Sequence, residues 1–167
     1  EVPGETVNRF CSSGIQTIAH GSQAIMAGMA DIVLAGGIES MSSVPMTGFK
    51  LTPNPTMAVE YPEVYINMGL TAENVAEEFS VNREDQDEFA YYSHKKAAAA
   101  LEKDLFAPEI VPIEVEVVSP GENGQQKVDK FTHKVDEGVR ADTTVEALAR
   151  LRPVFKEGGT VTAGNAS

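Results

Sequence analysis

The sequence predicts an α/β fold, because a stretch with helical periodicity, a short unbroken apolar run and an alternating apolar stretch follow one another along the chain. Between Ser12 and Met29, apolar side chains recur at helical spacing with Ala and Gly between them, as in a helix packed on several sides. Residues 32–35 (IVLA) are an unbroken apolar run that Gly36 and Gly37 end, which is typical of a strand buried on both faces. A helix that leads into a central strand is therefore expected first.

The stretch between Glu39 and Asn67 shows neither helical nor strand periodicity. It contains four prolines with scattered Met, Thr and Asn, and it is longer than an ordinary connection between elements. We expect an inserted functional segment or a loop that faces a ligand.

Two helices are predicted after this stretch. Residues 71–79 form a short amphipathic helix, and Asn82 with Asp85 three residues later resembles a capping box. The second helix extends to about Lys103 and contains a run of four alanines, which have high helix propensity.

The downstream part adds a strand and a helix. In residues 110–118, Ile and Val alternate with Glu, which indicates a half-buried strand, and residues 119–126 form a turn after it. A helix at about 144–151 ends before Pro153. Residues 161–163 then predict a return of the chain into a sheet.

Length, composition and charge restrict the class of protein. The chain has 167 residues, of which 42% are apolar, enough for one domain with a packed core. It has no apolar run of about 18 residues and no basic start before an apolar stretch, so we predict no membrane span, no signal peptide and a cytoplasmic location. The net charge of −12 and the lack of a Lys/Arg block argue against nucleic-acid and membrane partners.

Cys11 is the single cysteine, so we predict neither an internal disulfide nor a metal site. It directly precedes the first predicted helix, where unpaired backbone N–H groups and the positive end of the helix dipole stabilise a thiolate. The same N–H groups suit the oxyanion that forms when sulfur attacks a thioester. The alternative is a buried packing cysteine, but the small residues Ser12 to Gly14 favour a turn that faces a substrate.

Five ordered motifs resemble the thiolases, the family of acetyl-CoA acetyltransferases and 3-ketoacyl-CoA thiolases. The motifs are residues 8–14 (NRFCSSG) with 31–43 (DIVLAGGIESMSS), 68–76 (MGLTAENVA), 83–87 (REDQD), 151–155 (LRPVF) and 159–167 (GTVTAGNAS). Their common order over nearly the whole chain argues against a chance similarity.

The resemblance implies a thiolase-like fold that this chain forms in part. In the family, two similar βαβαβαββ halves pack into a five-layer α/β/α/β/α core, and an inserted loop domain covers coenzyme A. Residues 1–40 would then be the end of the N-terminal core half, residues 41–155 the inserted α+β loop domain, and residues 156–167 a return into the core. Since the chain starts at Glu1 without Met and ends at Ser167 inside a turn, we expect an internal piece of a longer protein.

The resemblance also implies ping-pong covalent catalysis. Substrate acylates Cys11, which passes the acyl group to coenzyme A or to an acetyl-CoA carbanion, so that one difficult transfer becomes two easier ones. Coenzyme A and acyl-CoA are then substrates, no cofactor is bound permanently, and the intact enzyme is a homodimer or homotetramer.

The family's coenzyme A contacts are carried over where positions match. Arg140 corresponds to the arginine that lies against the adenine nucleotide, with an ordinary solvated charge as the alternative. Ser167 corresponds to a serine that hydrogen-bonds the pantetheine arm. The positions that line the pantetheine tunnel, where core packing is a compatible role, are Met68, Leu148, Leu151, Phe155 and Ala163.

Three features depart from the family pattern. Asn67, assigned to the substrate site, stands where short-chain biosynthetic thiolases have His, and Ala147 stands where many members have a serine that faces coenzyme A. We therefore favour a 3-ketoacyl-CoA thiolase with a broader acyl-chain range. The family's Gly-His-Pro and Cys-x-Gly-Gly-Gly motifs do not occur in the sequence, and we predict that this chain alone turns over no substrate.

No catalytic role is predicted for the three histidines or for Asn165. His20, His94 and His133 are taken as surface or packing residues, and Asn165 as a turn residue.

A ketoacyl synthase-like enzyme would use carrier-protein thioesters, although the loop-domain motifs argue against it. A non-catalytic module that binds coenzyme A or lipid is a further alternative, and an incomplete fold would expose apolar helix faces and strand edges.

Overall fold

The computed structural model describes residues 2–46, 48–121 and 124–166. The chain forms two compact units that divide between Tyr61 and Pro62. The predicted domains, 1–40, 41–155 and 156–167, concern membership of a larger core and stay a prediction.

The first unit contains helix α1, Ser13–Met26, which confirms the helix predicted from periodicity. The helix ends where Ala27 donates its amide to the Gln23 carbonyl at 2.9 Å. Gly28 then adopts a φ of +69°, a left-handed conformation that glycine takes without strain and that stops the helix.

The expectation that this helix packs on several sides is wrong. Gly21 is buried, but Ile15 is 78% and Met26 86% exposed. The other helix described in this unit, α2, spans only Pro55–Glu60, so it offers little apolar surface to cover α1.

The expected strand at residues 32–35 is also wrong, because the described chain has no regular secondary structure there. Ile32 is 90% and Leu34 100% exposed. A strand needs a neighbouring strand for its N–H and C=O groups, and no described segment of this unit provides one.

This segment instead runs along α1 in the opposite direction. A Cβ added at Gly21 would lie 2.9 Å from Cγ1 of Val33, so the two pack closely. One turn earlier on the helix, the Thr17 hydroxyl donates to the Gly36 carbonyl at 3.2 Å. Glycine at position 21 thus permits the contact that replaces strand pairing.

Helix α2 was not predicted, because its six residues are too few to establish a period. Its start is nevertheless encoded locally. The Asn54 side chain accepts the amides of Thr56 and Met57 at 3.0 and 3.1 Å, and Pro55 occupies the first turn, where its fixed φ suits a helix.

The second unit combines three helices with a hairpin. Its elements are α3 (Met68–Glu78), α4 (Arg83–Glu102), β1 (Ile113–Pro120), β2 (Gln126–His133) and α5 (Val145–Ala149), with 3-10 turns at Pro62–Tyr65 and Ala107–Glu109.

All three helices begin at a side-chain cap. Asn67, Asn82 and Thr144 each accept the amide of the residue three positions later, at 2.9, 2.8 and 3.1 Å, which satisfies a donor that the helix leaves open. The start predicted at Asn82 is confirmed. Helix α3 begins at Met68, earlier than the predicted Thr71, because Asn67 is its cap.

Strands β1 and β2 form a two-stranded antiparallel hairpin. Val115 pairs with Phe131, and Glu116 pairs with Lys130 through an ion pair. The strand predicted in this region is confirmed, but the expectation that it is half-buried is wrong, because Ile113 is 60% and Val117 44% exposed. Strand β2 was missed because its sequence, QKVDKFTH, is mostly polar and lacks a clear period.

The core of the second unit lies where α3, α4 and α5 meet residues 153–166. Ala90, Leu148 and Val161 are its buried apolar side chains, and the carboxylates of Glu73 and Asp87 are buried with them. Buried carboxylates require hydrogen-bond donors, and residues 160–165 supply several of them.

The expected return into a sheet at residues 161–163 is wrong. Thr162 forms one isolated antiparallel bridge with Pro153. The amides that a strand would offer to a neighbour are taken by the side chains of Glu73 and Asn165. The segment is therefore fixed by side chains rather than by a ladder.

Candidate active site

Cys11 is exposed and lies in a tight turn directly before α1. Phe10 has a φ of +49°, a left-handed conformation that costs a non-glycine residue on the order of 1–2 kcal/mol. The Ser13 hydroxyl accepts the Arg9 amide at 2.8 Å and donates to the Phe10 carbonyl at 2.7 Å. These bonds hold the strained turn in place and fix the backbone from which the thiol projects.

Two backbone donors at the start of α1 are unused. The amides of Ser12 and Ser13 close the turn on preceding carbonyls, at 3.1 and 3.0 Å. The amides of Gly14 and Ile15 have no acceptor among the described residues. The first turn of the helix can therefore still donate to an anion. The nucleophilic role of Cys11 stays a prediction.

Glu73 of α3 anchors residues 160–165, the return segment of the second unit. Its side chain is 3% exposed and accepts the Val161 amide at 2.8 Å together with the amide and hydroxyl of Thr160 at 2.9 to 3.1 Å. Burial acts to raise the pKa of Glu73, but the hydrogen bonds from Thr160 and Val161 and the charge of Lys156 outweigh it and lower that pKa. The carboxyl is thus held as an anion.

Asp87 joins α4 to α5 and to the return segment. It is 1% exposed and accepts from Arg83 Nε at 2.7 Å and from Asn165 Nδ2 at 2.9 Å. Arg83 also donates to the carbonyls of Leu148 and Leu151 at 2.8 and 3.0 Å. One guanidinium therefore satisfies a buried carboxylate and the end of α5 together.

Three predicted tunnel residues pack against glycines. A Cβ added at Gly69 would lie 2.3 Å from the Phe155 ring, and one at Gly164 would lie 2.5 Å from Leu148 and 2.6 Å from Leu151. Leu148 is 4% exposed, so it is a core residue in this unit. Only glycine permits these approaches.

A cleft of about 340 Å³ lies between α3 and residues 161–166. Of the predicted tunnel residues, Met68 lines it, next to Val75 on the same helix, while Gln86 and Asn165 supply polar groups. The structure thus places Met68 by this cleft, Leu148 and Leu151 together at Gly164, and Ala163 exposed beside them.

The polar residues predicted to contact coenzyme A have different positions. Asn67 is exposed and engaged as the cap of α3. Arg140 is exposed, and its backbone amide donates to Nδ1 of His94 at 3.1 Å. Ser167 lies outside the described residues. These assignments stay predictions.

Glu73 and Asp87 were missed by the sequence analysis. A usable signal existed at Glu73, because it lies three residues after Leu70 and three before Ala76, so helical spacing puts a carboxylate on an apolar face. Such a charge predicts a buried partner. The backbone donors that satisfy it carry no signal of their own.

Two absences hold for the described residues. None of the helices in them has both the length and the apolar character needed to span a bilayer. Within the same ranges, no three His, Cys, Asp or Glu side chains are grouped so that they could hold a metal ion.

The chain is similar in sequence to known proteins. A family model described as thiolase, N-terminal domain, matches residues 1–167. A 3-ketoacyl-CoA thiolase of Bacillus subtilis (strain 168) is 52% identical over 166 residues, which are 99% of this chain and 42% of that protein. 3-ketoacyl-CoA thiolase 1, peroxisomal, of Arabidopsis thaliana is 46% identical over 169 residues, which cover 99% of this chain and 37% of that protein. The chain spans about two-fifths of the length of these relatives.

A solved structure has the same fold. The crystal structure of the Bacillus anthracis acetyl-CoA acetyltransferase matches 95% of this chain and 41% of that chain, with a TM-score of 0.73 and 38% sequence identity.

Proposed function

The chain belongs to the thiolase family, and from this we propose that it carries the nucleophile of an acyltransferase that moves acyl groups between coenzyme A thioesters. The thiolase-like fold predicted from the sequence is confirmed by the match to a solved structure. The observation that supports the proposal most directly is the exposed thiol of Cys11 in a strained turn before α1.

In the proposed reaction, the Cys11 thiolate attacks the acyl carbon and a new S–C bond forms while the carbonyl electrons move onto oxygen. The amides of Gly14 and Ile15 are the proposed donors to this oxyanion, because backbone N–H groups at a helix start stabilise developing negative charge. Collapse of the intermediate re-forms the carbonyl and breaks the bond to the leaving group, a C–S bond when acetyl-CoA is the donor and a C–C bond when a 3-ketoacyl-CoA is the donor. The coenzyme A thiolate or the acetyl-CoA carbanion departs with the electron pair and takes up the proton that the Cys11 thiol lost. Coenzyme A or an acetyl-CoA carbanion then takes the acyl group from sulfur.

For recognition of coenzyme A, we propose that Arg140 contacts the adenine nucleotide. This is supported by its exposed position and by the absence of an acidic partner for its guanidinium among the described residues. The pantetheine arm and substrate would contact the remaining predicted residues, Asn67, Met68, Leu148, Leu151, Phe155, Ala163 and Ser167.

A preference for 3-ketoacyl-CoA substrates over a range of chain lengths is the finer part of the proposal. It is supported by Asn67, which stands where short-chain biosynthetic members have His, and by the name of the Bacillus subtilis relative. Rates of thiolysis with acetoacetyl-CoA and a medium-chain 3-ketoacyl-CoA, measured on the natural protein, test it. A strict preference for acetoacetyl-CoA would contradict it.

The test of the nucleophile is intact-protein and peptide mass spectrometry after exposure to acetyl-CoA. We expect an acetyl adduct on the peptide that contains Cys11, and Cys11→Ser should abolish it. Retention of coenzyme A without an adduct would instead indicate the non-catalytic module, and acylation only by carrier-protein thioesters a ketoacyl synthase. The 167-residue chain alone is expected to give no thiolysis turnover.

We also propose a cytoplasmic homodimer or homotetramer that has no nucleic-acid or membrane partner. The net charge of −12 and the lack of a basic block support the part of the proposal that concerns nucleic-acid and membrane partners. The homo-oligomer is carried over from the family resemblance, and the cytoplasmic location rests on the lack of a readable signal peptide in this sequence. Three Arabidopsis relatives carry the word peroxisomal in their names, so fluorescence localisation of the natural protein, with light scattering for its assembly, is the decisive measurement.

A further inference from the structure

We propose that His94 and Lys95, neighbours on α4, are positioning residues that hold Arg140 for the nucleotide end of coenzyme A. This inference rests on the proposed function, in which Arg140 contacts that nucleotide. It assigns a role to a histidine that the sequence analysis interpreted as a surface or packing residue.

The backbone around Arg140 is held at three points, although it has no regular secondary structure. The Arg140 amide donates to Nδ1 of His94 at 3.1 Å, and the Ala141 carbonyl accepts from Nζ of Lys95 at 2.8 Å. The Arg140 carbonyl accepts the amide of Thr143 at 3.3 Å, which closes a turn. Two of these three bonds come from adjacent residues of a 20-residue helix, so the segment shares the rigidity of α4.

Lys95 is itself restrained. Its ammonium group lies 5.3 Å from the centre of the Tyr91 ring, in a cation–π contact. Tyr91 in turn makes an edge contact with Tyr92 at 5.3 Å. A lysine that is already restrained loses less conformational entropy when it donates to the Ala141 carbonyl, which makes this bond an effective anchor.

The contacts of His94 and Lys95 with the backbone of residues 140–141 form a clamp, and the Arg140 side chain that it holds has no partner among the described residues. Arg140 is exposed, and its guanidinium has no hydrogen bond or ion pair within the part of the chain that the structure describes. The sequence has 25 acidic against 13 basic residues, so a cation that forms no ion pair is valuable for binding an anionic nucleotide. A planar guanidinium with five donors suits the phosphates and the base of an adenine nucleotide.

The same segment leads directly into α5. Thr144 caps that helix, and α5 carries Leu148, followed by Leu151, two predicted contacts of the pantetheine arm. Fixing the backbone at 140–141 therefore sets the spacing between the nucleotide contact and the arm contacts. Loss of the clamp should weaken binding of ligands that have the nucleotide and spare ligands that lack it.

The experiment compares coenzyme A with pantetheine as acyl acceptors for the natural protein. For His94→Ala we expect KM for coenzyme A to rise roughly fivefold, the effect of one hydrogen bond, with kcat and the KM for pantetheine unchanged. His94→Gln should restore most of the affinity, because its amide oxygen can accept the Arg140 N–H. Lys95→Met should act like His94→Ala, while Lys96→Ala, which removes a charge from the exposed neighbouring position, is the control.

The outcomes separate this inference from the function on which it rests. If Arg140→Ala raises KM for coenzyme A selectively but His94→Ala and Lys95→Met do not, the clamp is refuted and the nucleotide contact stands. If Arg140→Ala itself has no selective effect, the nucleotide contact fails. Equal losses with coenzyme A and pantetheine, without rescue by His94→Gln, would indicate a purely structural role and also refute the inference.

Discussion

Both carboxylate oxygens of Glu73 lie within hydrogen-bond distance of the backbone nitrogen of Thr160, at 3.0 and 2.9 Å, across 87 residues of sequence. The Val161 amide donates to the same carboxylate. A single side chain of α3 thus fixes the segment that carries the last of the family motifs.

Glu73→Gln should lower the free energy of unfolding by roughly 2 kcal/mol near pH 7, since the amide group leaves a buried donor without an acceptor. Urea unfolding followed by circular dichroism measures this. Glu78→Gln, an exposed change on the same helix, should stay within about 0.5 kcal/mol.

The contribution of Glu73 should also depend on pH. Its pKa is lowered in the folded state from an ordinary value of 4.5, so its stabilisation is fully present above that value and is lost as pH falls through the folded pKa. The difference in unfolding free energy between the wild type and Glu73→Gln should therefore shrink below pH 4.5. A difference that grows in acid would contradict the assignment.

Arg83→Lys should destabilise the second unit by about 1–3 kcal/mol, because an ammonium group cannot reach Asp87 and the carbonyls of Leu148 and Leu151 in the same fork geometry. Thermal unfolding of the variant gives the value. Arg150→Lys, at an exposed position near the end of α5, is the matched control, and an equal loss in both would show that the fork is not the cause.

Gly69→Ala should be destabilising by about 1–3 kcal/mol, since its Cβ would meet the rigid Phe155 ring and force α3 away from residues 153–166. This loss should exceed the gain in helix propensity, roughly 1 kcal/mol. Gly138→Ala introduces the same methyl group into open space and should be close to neutral. Comparison of the two by chemical denaturation isolates the steric effect.

Ser13→Ala should slow acylation of Cys11 by roughly tenfold to a hundredfold, because the turn loses the hydroxyl that bonds Arg9 and Phe10 and the nucleophile is no longer held. Single-turnover labelling with acetyl-CoA, followed by mass spectrometry, measures the rate in the natural protein. Ser22→Ala removes a hydroxyl that bonds only within α1. Unequal rates for these two variants are expected, and equal rates would refute a specific role of Ser13.

The elements that the sequence predicted well are those whose signals are local. Asn82 caps α4 by accepting the amide of Asp85, only three residues later. The periodicity that predicted α1 likewise lies within one helix. The strand expected at residues 32–35 failed because a strand exists only with a partner, and the described part of the first unit supplies none. The strand expected at residues 161–163 failed for a related reason, since the side chains of Glu73 and Asn165 accept the backbone amides that would otherwise pair with a neighbouring strand.

In the candidate site, too, local features were predicted and contacts between distant residues were not. The sequence placed Cys11 at the start of a helix and predicted family membership from five ordered motifs, and the family is confirmed. It gave no indication that His94 would meet Arg140 or that Lys95 would meet Ala141, because 46 residues separate each pair.

By itself the sequence determined the family, the capped helices and the position of the single thiol, because each depends on residue identity or on neighbours within a few positions. The tertiary structure alone decided which carboxylates are buried, which glycines admit an aromatic ring or a leucine, and which backbone receives a side-chain clamp. Burial and long-range hydrogen bonds arise only when distant segments meet, and the cost of an unpaired buried group then selects one arrangement among them.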